Sequence, residues 1–212
     1  MKDPVAFAQI AAQPHLTVIC LRHGGTHLIK PFASEVSGLP LLDIFKSRTI
    51  EHRPNGPVLI SLRDPRNVFV SQMRWKQRKR DRAVPAPGSH EADQLIARFI
   101  EQENPHEPRG RTAIECFANV ISHWVGWPDA IRISFEELTG PKGSWFAALF
   151  AQSLGRSDID APQILAEKLG TGPTFTGQHS NFRDWFGPLA WAAWEKHGGP
   201  ALIELMGYAD AD

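Results

Sequence analysis

Cysteine is scarce in this 212-residue chain: only Cys20 and Cys116 are present, too few and too far apart for a disulfide framework. Neither sign of charge is in excess. Twenty-three Lys and Arg balance 23 Asp and Glu, which argues against binding nucleic acid through overall charge. No apolar run approaches the ~20 residues of a membrane span, and the start, Met1-Lys2-Asp3-Pro4, lacks the charged and apolar regions of a secretory signal. There is no C-x-x-C pair, internal repeat or domain-linking tract. These absences predict one soluble, reduced, cytoplasmic domain over residues 1–212, large enough to bury a sheet between helices.

The most informative stretch runs from Leu16 to Ile29. An apolar, β-branched run (Leu16 to Cys20) stops at Arg22, and Gly24-Gly25-Thr26 leads into apolar residues at helical spacing from Leu28. Glycines at a turn into a helix let backbone N–H groups converge on an anion at the helix's positive end. Arg22 adds a fixed charge and Thr26 a hydroxyl donor. A nucleoside-triphosphate loop, G-x-x-x-x-G-K-[ST], needs a lysine and a Mg²⁺ hydroxyl after its second glycine, and here Gly25 is followed by Thr26-His27. The pattern predicts a phosphorylated ligand that need not be a magnesium-bound triphosphate.

Strands and helices alternate along the chain. Leu28 to Val36 reads as a helix with Pro31 near its start, and Val58 to Leu62 as a second buried strand after Pro54-Asn55-Gly56-Pro57. Asp64-Pro65 supplies a helix cap and a proline at the first helical position. Ala130 to Phe135 reads as a third strand, with helices near Asp93–Gln102, Thr112–Trp124 and Pro188–His197 and a loop at Asn104–Gly110. Strands separated by helices predict an α/β fold with a parallel sheet. Arg63 leaves the carboxyl end of its strand, the edge where such sheets bind ligands. Ser71 returns to the face of Asp64 two turns later. Together they suit a phosphate monoester.

At this point a family resemblance can be named. Leu21-Arg22-His23-Gly24-Gly25-Thr26-His27 resembles the 5′-phosphosulfate loop of sulfotransferases, usually P-K-S-G-T-T-W. Arg63-Asp64-Pro65-Arg66-Asn67-Val68-Phe69-Val70-Ser71 resembles their 3′-phosphate motif, R-[ND]-P-[KR]-D-x-x-x-S, with the arginine-to-serine spacing kept. Ile133-Ser134-Phe135-Glu136-Glu137-Leu138 looks like R-Y-E-D-L, and Thr174 to Trp185, Trp194, His197-Gly198-Gly199 and Met206-Gly207-Tyr208 are similar to the ends of bacterial members. The resemblance implies a three-layer fold, a central parallel sheet flanked by helices with P-loop-like nucleotide-binding topology. It also implies sulfuryl transfer from 3′-phosphoadenosine 5′-phosphosulfate (PAPS) to an acceptor hydroxyl or amine on a glycan or small metabolite. PAP, 3′-phosphoadenosine 5′-phosphate, would be the product, with no metal required.

By that resemblance Arg22, His23, Gly24, Gly25, Thr26 and His27 would hold the phosphosulfate, and Arg63 and Ser71 the 3′-phosphate. Arg22 replaces the family's lysine and can stabilise charge, though its fixed protonation rules out general-acid work. His27 stands where a tryptophan commonly stacks near the adenine. The paired Arg-Lys of the C-terminal loop in animal members is missing, leaving Gly177, Ser180 and Arg183 as candidates. His52 resembles the T-H-L-P histidine that takes the acceptor proton, and Glu51 is the competing base. The basic run Arg74 to Arg82 reads either as a solvated helix end or as a docking patch for an acidic acceptor. Trp124, Trp127, Trp145, Trp185, Trp191 and Trp194 are expected in the core or covering the sheet. Two other classes stay open: a small-molecule kinase or other phosphotransferase, and a non-catalytic nucleotide-binding module.

Overall fold

β1 (Leu16–Cys20) is a run of five buried residues, three of them the β-branched Thr17, Val18 and Ile19. A short run buried on both faces is the pattern of a strand inside a parallel sheet. In the computed structural model, which describes residues 13–20, 24–44, 54–102, 110, 112–170 and 181–208, β1 pairs in parallel with β2 (Leu41–Asp43) on one side and β3 (Val58–Leu62) on the other. β3 pairs in parallel with β4 (Ile131–Ser134), so the order is β2-β1-β3-β4. The protein is α/β, with a parallel sheet flanked by helices. From β1 the chain moves to one side, returns across β1 to β3, and continues outward to β4. The winding therefore reverses between β1 and β3.

The chain divides into two compact units, each built from two separate stretches: Met1–Arg63 with Gly126–Gln178, and Asp64–Val125 with His179–Asp212. The first holds the sheet. Its helix α1 (Thr26–Ser37) buries Leu28, Ile29, Phe32, Ala33 and Val36, a stripe at helical spacing. That stripe packs on Leu16, Val18 and Cys20 of β1 and on Leu59 and Ile133. Phe32 meets Phe150 with ring centroids 5.5 Å apart. The helix starts two residues before the predicted Leu28, because Gly25 in the left-handed region (φ 86°) turns the chain in. Gly38 ends it in the same conformation, and Arg156 donates to the Ser37 carbonyl at 3.0 Å.

β3 and the Asp64-Pro65 helix start fall where the sequence puts them, while β2 was not foreseen. The strand expected at Ala130–Phe135 stops at Ser134. Ser134 Oγ accepts from Glu137 N (3.0 Å) and Glu137 Oε2 from Ser134 N (2.9 Å), a capping box that opens the short helix α2 (Phe135–Thr139). Two further helices of this unit, α3 (Gly143–Ser153) and α4 (Ala161–Lys168), were also missed.

The described part of the second unit is helical. It holds α5 (Pro65–Lys79), α6 (His90–Glu101), α7 (Ala113–Val125), α8 (Pro188–Lys196) and α9 (Gly199–Met206), and Phe69 of α5 is buried against residues of α6, α7 and α8. Its ring stacks on Phe117 (5.5 Å) and meets Trp194 edge-on (5.8 Å). Trp124, Trp185 and Trp194 are buried as expected, whereas Trp145 on α3 is 57 % exposed. No described helix is long and apolar enough to cross a membrane.

Asp93, buried on α6, does for α8 what a local cap would do. Its carboxylate accepts from Gly187 N (3.0 Å), Leu189 N (3.0 Å) and Ala190 N (2.8 Å). These are donors of the first turn, which has no side-chain cap of its own. A Cβ at Gly187 would sit 2.5 Å from Asp93 Oδ2, so the approach requires glycine. Asp93→Ala strands three backbone donors, that of Ala190 buried and those of Gly187 and Leu189 partly so, and should destabilise the protein by roughly 3 kcal/mol. Asp93→Asn, which keeps one acceptor, should lose less. Urea unfolding followed by tryptophan fluorescence reads both, and an unchanged midpoint in Asp93→Ala would remove the cap from the account.

Candidate functional site

The carboxyl ends of β1 and β3, where the winding reverses, are where open α/β sheets place ligands. Cys20 pairs in register with Ser61, so the loop after β1 emerges beside the end of β3. That loop is tied back at once. The buried Ser61 Oγ donates to the Gly24 carbonyl at 3.4 Å, and Cys20 Sγ lies 3.8 Å from the same oxygen. The Gly25 carbonyl accepts from Leu28 N (2.9 Å) and Ile29 N (3.0 Å). Thr26 and His27 open the helix, and their N–H groups belong to the first turn, which has no intrahelical acceptors. The positive end of a 12-residue helix thus follows directly from Gly24 and Gly25. Pro31, one turn in, has no N–H for the carbonyl of His27.

Arg63, the residue after β3, is half-buried, and its guanidinium carbon lies 4.7 Å from the centre of the Phe135 ring. The same ring presses on the loop: a Cβ at Gly25 would come within 2.3 Å of Phe135 Cδ2. Phe135, 5 % exposed, therefore supports both Gly25 and Arg63. It is held in turn at the start of α2 by the Ser134–Glu137 capping box, which commits the Glu137 carboxylate to backbone. The site was predicted from the two loops; the aromatic wedge between them was not.

Other predicted residues divide as follows. Gly24, Gly25, Thr26, His27 and Arg63 gather at this edge. Ser71, half-buried on α5, and Arg183, exposed on the 3-10 turn Phe182–Asp184, belong to the second unit. Arg22, His23, Glu51, His52, Gly177 and Ser180 lie outside the described residues. His23 and His27 have the four-residue spacing of a helical metal pair, contrary to the expectation that the sequence holds no H-x-x-x-H pattern, and His23 lies outside the described residues.

The polar residues following Arg63 do structural work. Asp64 caps α5 by accepting from Arg66 N (2.9 Å) and pairs with the buried Arg66 guanidinium (3.0 Å). Arg66 also lies 4.0 Å over the Phe182 ring, and Asn67 Oδ1 accepts from Phe182 N at 2.9 Å. In the basic run, Arg74 lies 5.5 Å over Trp185, and burial, with the charge of Arg78, lowers its pKa. Lys76 sits over Phe99 (4.2 Å) and Lys79 over Trp75 (5.0 Å).

Gly25→Ala combines a positive φ with a collision against Phe135. It should lower stability by about 1–3 kcal/mol and weaken anion binding at the loop. Gly126→Ala, where a Cβ meets nothing within 4 Å, serves as the neutral control in the same thermal melts. Equal melting of the two variants would show that Phe135 does not wedge the loop. No family model and no curated protein matches the chain.

Proposed function

We propose that the chain transfers a sulfuryl group from PAPS to an acceptor hydroxyl or amine, on a P-loop-like nucleotide-binding topology. The observation that carries this reading is the Phe135 ring shared by Gly25 and Arg63. It supports two anion stations of different kinds at one sheet edge, a helix N-terminus and a guanidinium. A donor with a phosphosulfate at one end and a separate 3′-phosphate at the other needs such a pair. In this reading Arg63 takes the 3′-phosphate and the Gly24–His27 turn takes the phosphosulfate.

The acceptor oxygen or nitrogen attacks sulfur while the bond from sulfur to the bridging phosphate oxygen breaks, and PAP leaves carrying the negative charge. Backbone N–H groups and Arg22 stabilise that charge, and positioning supplies most of the acceleration. His52 or Glu51 removes the acceptor proton. A cytoplasmic setting accords with Cys20 and Cys116, both buried and free.

Arg63→Ala should weaken PAP by roughly ten- to a hundredfold, the worth of a charge-assisted contact of ~1.5–3 kcal/mol. Adenosine 5′-phosphate, which lacks the 3′ group, should be barely affected in the same titration. Equal losses for both ligands refute the assignment. Ser71, which the resemblance pairs with Arg63, is tested by its own alanine variant because it lies in the second unit. Turnover should persist in excess chelator; activity abolished by chelation and restored by Mg²⁺ would mean a kinase. Of His52→Ala and Glu51→Ala, the true base is the one that loses roughly 10²–10⁴-fold in rate with donor affinity kept.

A further inference from the structure

The second unit contains a groove lined by residues that the donor site does not include. It encloses about 470 Å³, within the ~300–1,000 Å³ range of small-ligand pockets. On one side are Gln77, in the last turn of α5, and Arg82 and Ala83, just beyond it. On the other are Glu91, Gln94, Leu95 and Arg98 of α6, a stripe at three- and four-residue spacing along one helix face. The end of α5 is shaped to bring Arg82 back. Arg82 N donates to the Gln77 carbonyl and Asp81 N to the Arg78 carbonyl, with Asp81 in the left-handed region (φ 52°).

Three of these side chains present polar groups to the groove that no other described side chain engages. Gln77 is 8 % exposed as a residue, and its amide lines the groove, open to solvent there, with no hydrogen bond among the described residues. An amide so placed is free to exchange water for a ligand's hydroxyls. Arg82 and Arg98, presented from different elements into the same space, have no ion-pair partner among the described residues. Glu91 is the one carboxylate among the lining residues, so two guanidinium groups leave the groove with net positive charge. Gln94 Nε2 is 2.7 Å from His90 Nε2, and Leu95 and Ala83 provide the apolar surface.

We propose that this groove binds an anionic sugar. Its carboxylate or sulfate ester sits between Arg82 and Arg98, its hydroxyls meet the Gln77 amide and the Glu91 carboxylate, and its C–H face lies on Leu95. A bare oxyanion would leave Glu91 repelling it and Gln77 half-satisfied. A neutral sugar would leave the positive charge of the groove unmatched. A ring bearing one negative charge satisfies all of them. The inference concerns the second unit alone and does not depend on the donor reading.

The test is a calorimetric or NMR titration of the full chain with D-glucuronate, glucose 6-sulfate, glucose and inorganic sulfate. At least one of the two anionic sugars should bind, more weakly as salt rises, and the better of them names the anion. Arg82→Gln, Arg98→Gln and Gln77→Leu should each weaken that sugar roughly tenfold, the worth of one charge-assisted or buried polar contact. Arg80→Gln, which alters the same helix end outside the groove, should change it less than about twofold. The two arginine substitutions are on exposed side chains, so a folding defect in Gln77→Leu would not decide the matter. Absence of binding by both anionic sugars, glucose binding as well as either, inorganic sulfate binding as tightly, or an Arg80→Gln loss equal to that of Arg82→Gln would each overturn the proposal.

Discussion

A phenyl ring pressed against a stretch of backbone with no side chain is the contact on which the first unit's site depends. Phe135 can lie where it does only because Gly25 has no Cβ, and Gly25 can turn into α1 only because glycine tolerates its positive φ. The same ring carries the Arg63 guanidinium. A cation–π contact is worth about 0.5–2 kcal/mol, small beside the burial of the sheet. Its value here is positional: it fixes a long, rotamer-rich side chain at the edge where β1 and β3 end. The backbone turn and the charge are thereby referred to one rigid object, itself seated by the Ser134–Glu137 capping box.

What could be read from the chain in advance, and what could not, follows from the range of the interactions. β1, β3 and the Asp64-Pro65 helix start were legible because each is written in consecutive residues: a buried β-branched run, or a cap followed by proline. β2 was not, since Leu41-Leu42-Asp43 is three residues whose strand character exists only through pairing with Leu16, Thr17 and Val18. Phe135 was read as the end of β4; the capping pair that starts a helix there, Ser134 and Glu137 three residues apart, was available and overlooked. The roles of Phe135 and Asp93 could not be found locally. Phe135 acts on Gly25 and Arg63, and Asp93 on Gly187 to Ala190, across sequence separations that no pattern records.

The same comparison changes the meaning of the arginines. In the sequence, Arg63, Arg66 and the run from Arg74 to Arg82 look alike. In the structure Arg66 is consumed internally by Asp64 and Phe182, and Arg74 lies half-covered over Trp185. Arg63 supports a sheet-edge site, while Arg82 faces a groove. Balanced net charge hides this distribution. Burial and partners, not residue counts, decide which cations remain available to a ligand.

The way the chain is shared between the two units has a consequence for synthesis. Each unit is assembled from two stretches that alternate along the sequence. As the chain leaves the ribosome, the strands up to Val58–Leu62 emerge first, but their edge partner Ile131–Ser134 waits until most of the second unit's early helices have been made. Those helices in turn lack α8, whose first turn Asp93 must cap, until the sheet's own later helices are out. Neither half can close on its own schedule. A nascent chain of this kind exposes an open sheet edge for much of its translation, and no single cut could release either unit as a continuous fragment.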